Sequence, residues 1–116
     1  EIATELGKYV NKIWFDLAKK HNLSIKISGL PSLTGFRFEY ENALTYKTLI
    51  TQEMLKCGFL AGTSIYICSA HTKNIFDEYA EKLDVIFALI ADCENGRDVM
   101  SMLDGPVCHE GFKRLN

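Results

Sequence analysis

The sequence predicts an α+β domain in the order α-β-β-α-β-α, with a small three-stranded, mainly antiparallel sheet and helices packed on one face. Three observations predict it. Apolar residues recur at helical spacing in three separated stretches. Shorter segments between them alternate apolar with polar residues or run apolar. Gly, Pro or Asn stands where the period changes.

The first helix is expected from Ile2 to His21, with Ile2, Leu6, Tyr9, Val10, Ile13 and Leu17 on one face and Lys19 and Lys20 at the negative end of its dipole. Asn22 is its stop. The apolar stripe is already running at Ile2 with no capping residue ahead of it, as in a helix that continues upstream. Leu23 to Ser28 alternates as a half-buried strand, and Gly29 to Ser32 reads as a turn. Leu33 to Tyr40 is the second strand of a hairpin. Thr34, Phe36, Phe38 and Tyr40 share one of its faces, with Leu33, Gly35, Arg37 and Glu39 on the other.

Asn42 is placed to cap a second helix from Ala43 to Cys57, whose inner stripe is Ala43, Tyr46, Ile50, Met54 and Cys57, with Gly58 as its left-handed stop. Ser64 to Ser69 is apolar on both faces, which predicts a central strand. Thr72 caps the last helix, Lys73 to Cys93, with Ile75, Tyr79, Leu83, Val85, Ile86 and Ile90 on its apolar side. Residues 1–93 then form the domain. Residues 94–116 form a C-terminal tail with one helical turn around Val99 to Leu103.

A chain of 116 residues with 47% apolar content builds one core. The net charge of −2, with acids and bases interspersed, argues against nucleic acid as a partner. The longest apolar run, Val85 to Ala91, is far shorter than the ~20 residues of a membrane span, and no polybasic amphipathic segment points to a membrane surface. Cys57, Cys68, Cys93 and Cys108 are widely spaced without a C-x-x-C pair, which fits free, mostly buried thiols in a cytoplasmic protein.

Sites of chemistry are few. No glycine-rich phosphate loop, nucleophile elbow or H-E-x-x-H motif occurs. His71, Cys93, Cys108 and His109 lack the short paired spacing of metal ligands, so no metal site is expected. Ser69, His71 and Thr72 lie where a strand gives way to a helix, a common place for a site. In the plainer alternative, Thr72 caps the helix and His71 packs over its first turn. Arg37 either forks onto a ligand carboxylate or pairs locally with Glu39 or Glu41. Phe36, Phe38, Tyr40, Phe59 and Tyr66 read as core or domain interface, since no basic groove accompanies them.

Two stretches carry a resemblance. One is Ile27-Ser28-Gly29-Leu30-Pro31-Ser32-Leu33-Thr34-Gly35-Phe36-Arg37-Phe38. The other runs from Leu49-Ile50-Thr51 through Gln52-Glu53-Met54-Leu55-Lys56-Cys57-Gly58-Phe59-Leu60-Ala61 to Ser69-Ala70-His71-Thr72. Together they resemble the C-terminal small domain of class III, pyridoxal-phosphate-dependent aminotransferases, in the branch similar to glutamate-1-semialdehyde aminomutase. The likeness covers residues 1–92 in element order, with the Q-E-M-L-K-x-G-F-L-A run and the A-H-T helix opening as its specific parts. Leu103 to His109 looks like an extension found in a subset of such chains.

The resemblance implies a transaminase whose large domain, in the same chain, holds pyridoxal phosphate, the Schiff-base lysine and the phosphate loop. The parent would be a homodimer. This part would hold no cofactor and no catalytic residue, would close over the active site and would be inactive alone. Its substrate-proximal candidates are Arg37, Ser69, His71 and Thr72. The connection from Phe59 to Ile65 is shorter than in the aminomutases, and Lys73-Asn74 follows A-H-T where they carry acids, so glutamate semialdehyde is not specified as the substrate. A different expectation is a free-standing α+β module that binds a small molecule or regulates.

Overall fold

The computed structural model describes residues 2–30, 33–58, 63–66 and 73–107. They form an α+β fold in the order α1 (Ile2–Lys20), β1 (Ile25–Leu30), β2 (Leu33–Phe38), α2 (Ala43–Lys56), β3 (Ser64–Tyr66), α3 (Lys73–Glu94) and a 3-10 turn, Val99–Met102. Among the described residues all strand pairing is antiparallel, in the order β1-β2-β3.

β2 is therefore the central strand, and β3, expected in the middle, pairs with β2 alone among the described residues. An apolar run signals burial on both faces without saying which neighbours supply it; here the hairpin already occupies one side of β2. The hairpin is also tighter than expected. Pairing continues to Leu30 opposite Leu33, so the residues read as a turn include two that belong to β1. Gly29 sits within that strand at φ 111°, a backbone state a side chain would resist.

The inner face of β2 follows its alternation: Thr34, Phe36 and Phe38 are buried, whereas Arg37 and Glu39 are exposed. Trp14 from α1, Phe87 from α3 and Tyr46 from α2 close around the two phenylalanines. Ring centroids lie 4.8 Å apart for Trp14–Phe36, 5.8 Å for Phe36–Phe87 and 5.5 Å for Phe38–Tyr46. The buried Thr34 hydroxyl on this face donates to Asn11 Oδ1 on α1 at 2.6 Å.

Each helix buries a stripe slightly rotated from the expected one. On α1 the deepest residues are Leu6, Val10, Trp14 and Ala18, four apart, with Tyr9, Ile13 and Leu17 packed beside them. On α2 Leu49 is fully buried and Cys57 is exposed, because the helix ends at Lys56 and turns away through Gly58 at φ 89°. On α3 Phe76, Tyr79, Leu83, Ile86, Phe87 and Ile90 face inward, whereas Ile75 and Val85 are 41% and 64% exposed. Trp14 on α1, Leu49 on α2 and Phe76 and Phe87 on α3 thus join the buried centre, and Cys57, Ile75 and Val85 leave it.

Two further expectations change. Asn42 does not cap α2 with its side chain; its φ −96°, ψ 34° is not the extended backbone that aims a side chain at the first-turn N–H groups. Cys93 is half-buried and Cys57 exposed, so the thiols are not uniformly enclosed; Cys68 and Cys108 lie outside the described residues. Asn22 does stop α1, at φ 57°. The first part of the tail is ordered against the domain, with Val99 buried and Met102 and Leu103 packed on the core. No helix among the described residues is long and apolar enough to cross a membrane.

Candidate functional site: a charged cleft beside the central strand

β2 stops at Phe38, and the chain turns through Glu39 to Asn42 into α2. Two bonds to Ser24 hold the turn: Glu39 N–H donates to its carbonyl at 2.9 Å, and its own N–H donates to the Tyr40 hydroxyl at 2.8 Å. The Tyr40 ring stacks on Phe38, 20° from parallel, and the Tyr40 carbonyl accepts from the N–H of Ala43, the first residue of α2. Aromatic packing and backbone bonding thus fix the corner where strand meets helix.

A cleft of about 660 Å³ opens at this corner, between the end of β2, the first turns of α2 and Thr63. Phe36, Phe38, Ala43 and Leu44 border it. Arg37 and Lys47 bring positive charge, and Glu39 and Glu41 bring negative charge. Phe36 N–H donates to the Thr63 carbonyl at 2.9 Å, which ties the far side of the cleft to the strand.

Arg37 is exposed and lines the cleft. Neither Glu39 nor Glu41 pairs with it; Glu39 instead accepts from Ser24 Oγ at 2.8 Å. Among the described residues no carboxylate forms an ion pair with Arg37, Lys47 or Lys26. The local pairing expected as one option for Arg37 is therefore not formed there, and its planar fork is presented to solvent. Ser69, His71 and Thr72 lie outside the described residues.

Tyr9, Tyr46, Lys56, Tyr79, Asp84 and Cys93, whose protonation the fold shifts, do not line the cleft. No three or more His, Cys, Asp or Glu side chains converge as a metal site among the described residues. Of the lysines whose side chains are described, Lys47 and Lys82 are half-buried and the others exposed. Lys56 is held above the usual ammonium range by bonds to Glu53 and Asp104, the reverse of what a Schiff-base amine needs.

Sequence reasoning missed Lys47 and Tyr40 as cleft residues. Lys47 follows Tyr46 of the buried stripe, so it sits at the stripe's edge, where a long side chain can reach the end of β2. Tyr40 continues the inner-face alternation one step past the last paired residue, which carries its ring from the core to the rim. Compared with protein-family models and with curated proteins, the chain matches none.

Proposed function

We propose that this chain is the C-terminal small domain of a pyridoxal-phosphate-dependent class III aminotransferase or aminomutase, in the branch that resembles glutamate-1-semialdehyde aminomutase. In this reading a large domain of the same chain supplies the cofactor, the Schiff-base lysine and the phosphate loop. The parent works as a cytoplasmic homodimer. The 116 residues close over its active site and turn over no substrate alone.

The observation that supports this best is Arg37. A guanidinium without a carboxylate partner among the described residues, at the mouth of a cleft, is suited to gripping the carboxylate that every amino-acid substrate carries. The antiparallel sheet with helices against one face, the Q-E-M-L-K run on α2 and the A-H-T opening are what the reading calls for in the rest of the chain.

The test is to read the coding frame upstream of Glu1 and assay the protein it encodes. An open frame encoding a large domain with a buried lysine and a phosphate loop is the expected result. In that enzyme Arg37→Ala then raises KM for the amino donor by about tenfold or more, with the cofactor absorbance unchanged. A start codon directly before Glu1, or an Arg37→Ala enzyme with unaltered KM, overturns the reading.

One feature favours a second reading, a free-standing module that binds a small molecule. Arg37, Lys47, Glu39 and Glu41 gather charges of both signs around one cleft at the corner between β2 and α2. A rise in melting temperature of the isolated chain with one specific small molecule, together with a start codon before Glu1, would establish it.

A further inference from the structure

Lys26 and Arg37 are directly opposite each other in the β1–β2 ladder. Glu39 bonds across to the Ser24 carbonyl, so by alternation Arg37 also faces β1 as a hydrogen-bonded partner of Lys26. Both side chains leave the sheet on the face away from the core, and both are exposed, as are Ser24, Ser28 and Glu39 around them. Directly opposed like charges destabilise a hairpin, and sheets ordinarily place opposite charges there. No carboxylate relieves the pair among the described residues, and the nearest acid in sequence, Glu39, is directed to Ser24. Two cations held side by side at a fixed strand spacing, with one of them also lining the cleft, form a receptor for an anion.

We propose that Lys26 and Arg37 form a two-cation clamp for a single carboxylate of a small-molecule ligand, with Arg37 supplying the planar fork and Lys26 the second charge. The proposal rests on the reading of Arg37 as a carboxylate-binding group and adds Lys26, which fixes the ligand as one that presents its carboxylate on the exposed side of the hairpin. When the ligand binds, the repulsion between the two cations is relieved, so binding and hairpin stability are linked.

The experiment is an NMR titration of the full 116-residue chain with succinate at low ionic strength, with sodium chloride, acetate and inorganic phosphate as parallel probes. Saturable shifts centred on Lys26 and Arg37 are expected with succinate and with acetate, and not with chloride. Lys26→Gln and Arg37→Gln each weaken binding by about fivefold, the scale of a partly exposed charge pair. Lys26→Glu replaces the repulsion with a cross-strand ion pair, so it raises the melting temperature while abolishing binding. Because both positions are exposed, none of these variants threatens the fold.

Equal response to chloride, wild-type affinity in Lys26→Gln, or saturation by phosphate at lower concentration than by succinate each overturns the clamp. Such a failure leaves the small-domain reading standing if the upstream frame encodes a cofactor domain. A start codon before Glu1 removes that reading without touching the clamp.

Discussion

Trp14 donates its indole N–H to the hydroxyl of Tyr79 at 2.8 Å, joining α1 to α3 at a point where both side chains are 2% exposed or less. Indole can only donate, so its enclosure depends on an acceptor. Tyr79→Phe removes that acceptor and leaves a buried N–H unsatisfied, a cost of about 1–3 kcal/mol. The expected result is a lower urea midpoint with an unchanged m-value. Tyr79→Phe with wild-type stability would show that the bond is not needed.

The same burial makes the domain sensitive to alkali. Burial pushes the Tyr79 phenol well above its ordinary 10.0. Burial does the same for Tyr46, helped by the bond its hydroxyl donates to Glu94. Both groups hold their protons in the folded state, whereas the unfolded chain releases them near 10.0. Their contribution is therefore complete below pH 10.0 and falls as pH rises above it, by ~1.4 kcal/mol per pH unit for each phenol. In a spectrophotometric titration, Tyr46 and Tyr79 should ionise only as the fold is lost. A smooth ionisation of all five tyrosines with the fold intact would refute this.

These two tyrosines show what the sequence made legible. Tyr46 and Tyr79 lie on stripes read directly from helical spacing, and the inner face of β2 follows from alternation alone. What local pattern does not carry is rank within a stripe. Trp14, Leu49, Phe76 and Phe87 reach the centre because their volumes match the space between three helices and a sheet, a property of the assembled elements. Strand order was hidden for a similar reason: pairing partners of Ser64–Tyr66 are set by where the hairpin lies. Arg37 was legible as a candidate because an arginine on an alternating strand stands out. Lys26 and Lys47 became meaningful only through the ladder register and the corner between β2 and α2.

An acid-sensitive contact lies at the other end of α1. Lys20 Nζ reaches Asp84 Oδ2 at 2.7 Å and His21 Nε2 lies 2.5 Å from Oδ1. The bonds from Lys20 first, and from His21 second, hold the Asp84 carboxyl below its ordinary 3.8. A depressed carboxyl contributes stability above its unfolded value and loses it as pH falls through the folded value. Asp84→Asn should therefore lower the melting temperature at neutral pH, by no more than ~1 kcal/mol of stability because the pair is partly exposed and screened. The gap between variant and wild type should close as pH drops below 3.8. A gap that stays constant through the acid range would assign the effect to packing.

Gln52 connects the motif run on α2 to the tail. Its Nε2 donates to the Met102 carbonyl at 2.8 Å, and its Oε1 accepts from the Asp104 N–H at 2.6 Å. The two bonds bracket Leu103, held extended at φ −87°, ψ 137°. One turn further along α2, Lys56 pairs with Glu53 at 3.1 Å and with Asp104 at 3.2 Å. The polar residues of the Q-E-M-L-K run thus contact the tail, in which Val99 is buried. Gln52→Ala should release this strap, costing about 1–2 kcal/mol for two lost bonds of which one leaves a partly buried carbonyl unpaired. Two readouts report the release directly: faster hydrogen exchange at the Asp104 amide and faster trypsin cleavage after Arg97. Gln52→Glu keeps the acceptor for Asp104 N–H, loses the donor to Met102 and adds negative charge beside the Asp104 carboxylate, so its exchange rate should rise as well. Unchanged exchange in both variants would mean that the apolar anchors Val99, Met102 and Leu103 hold the strap without the carboxamide.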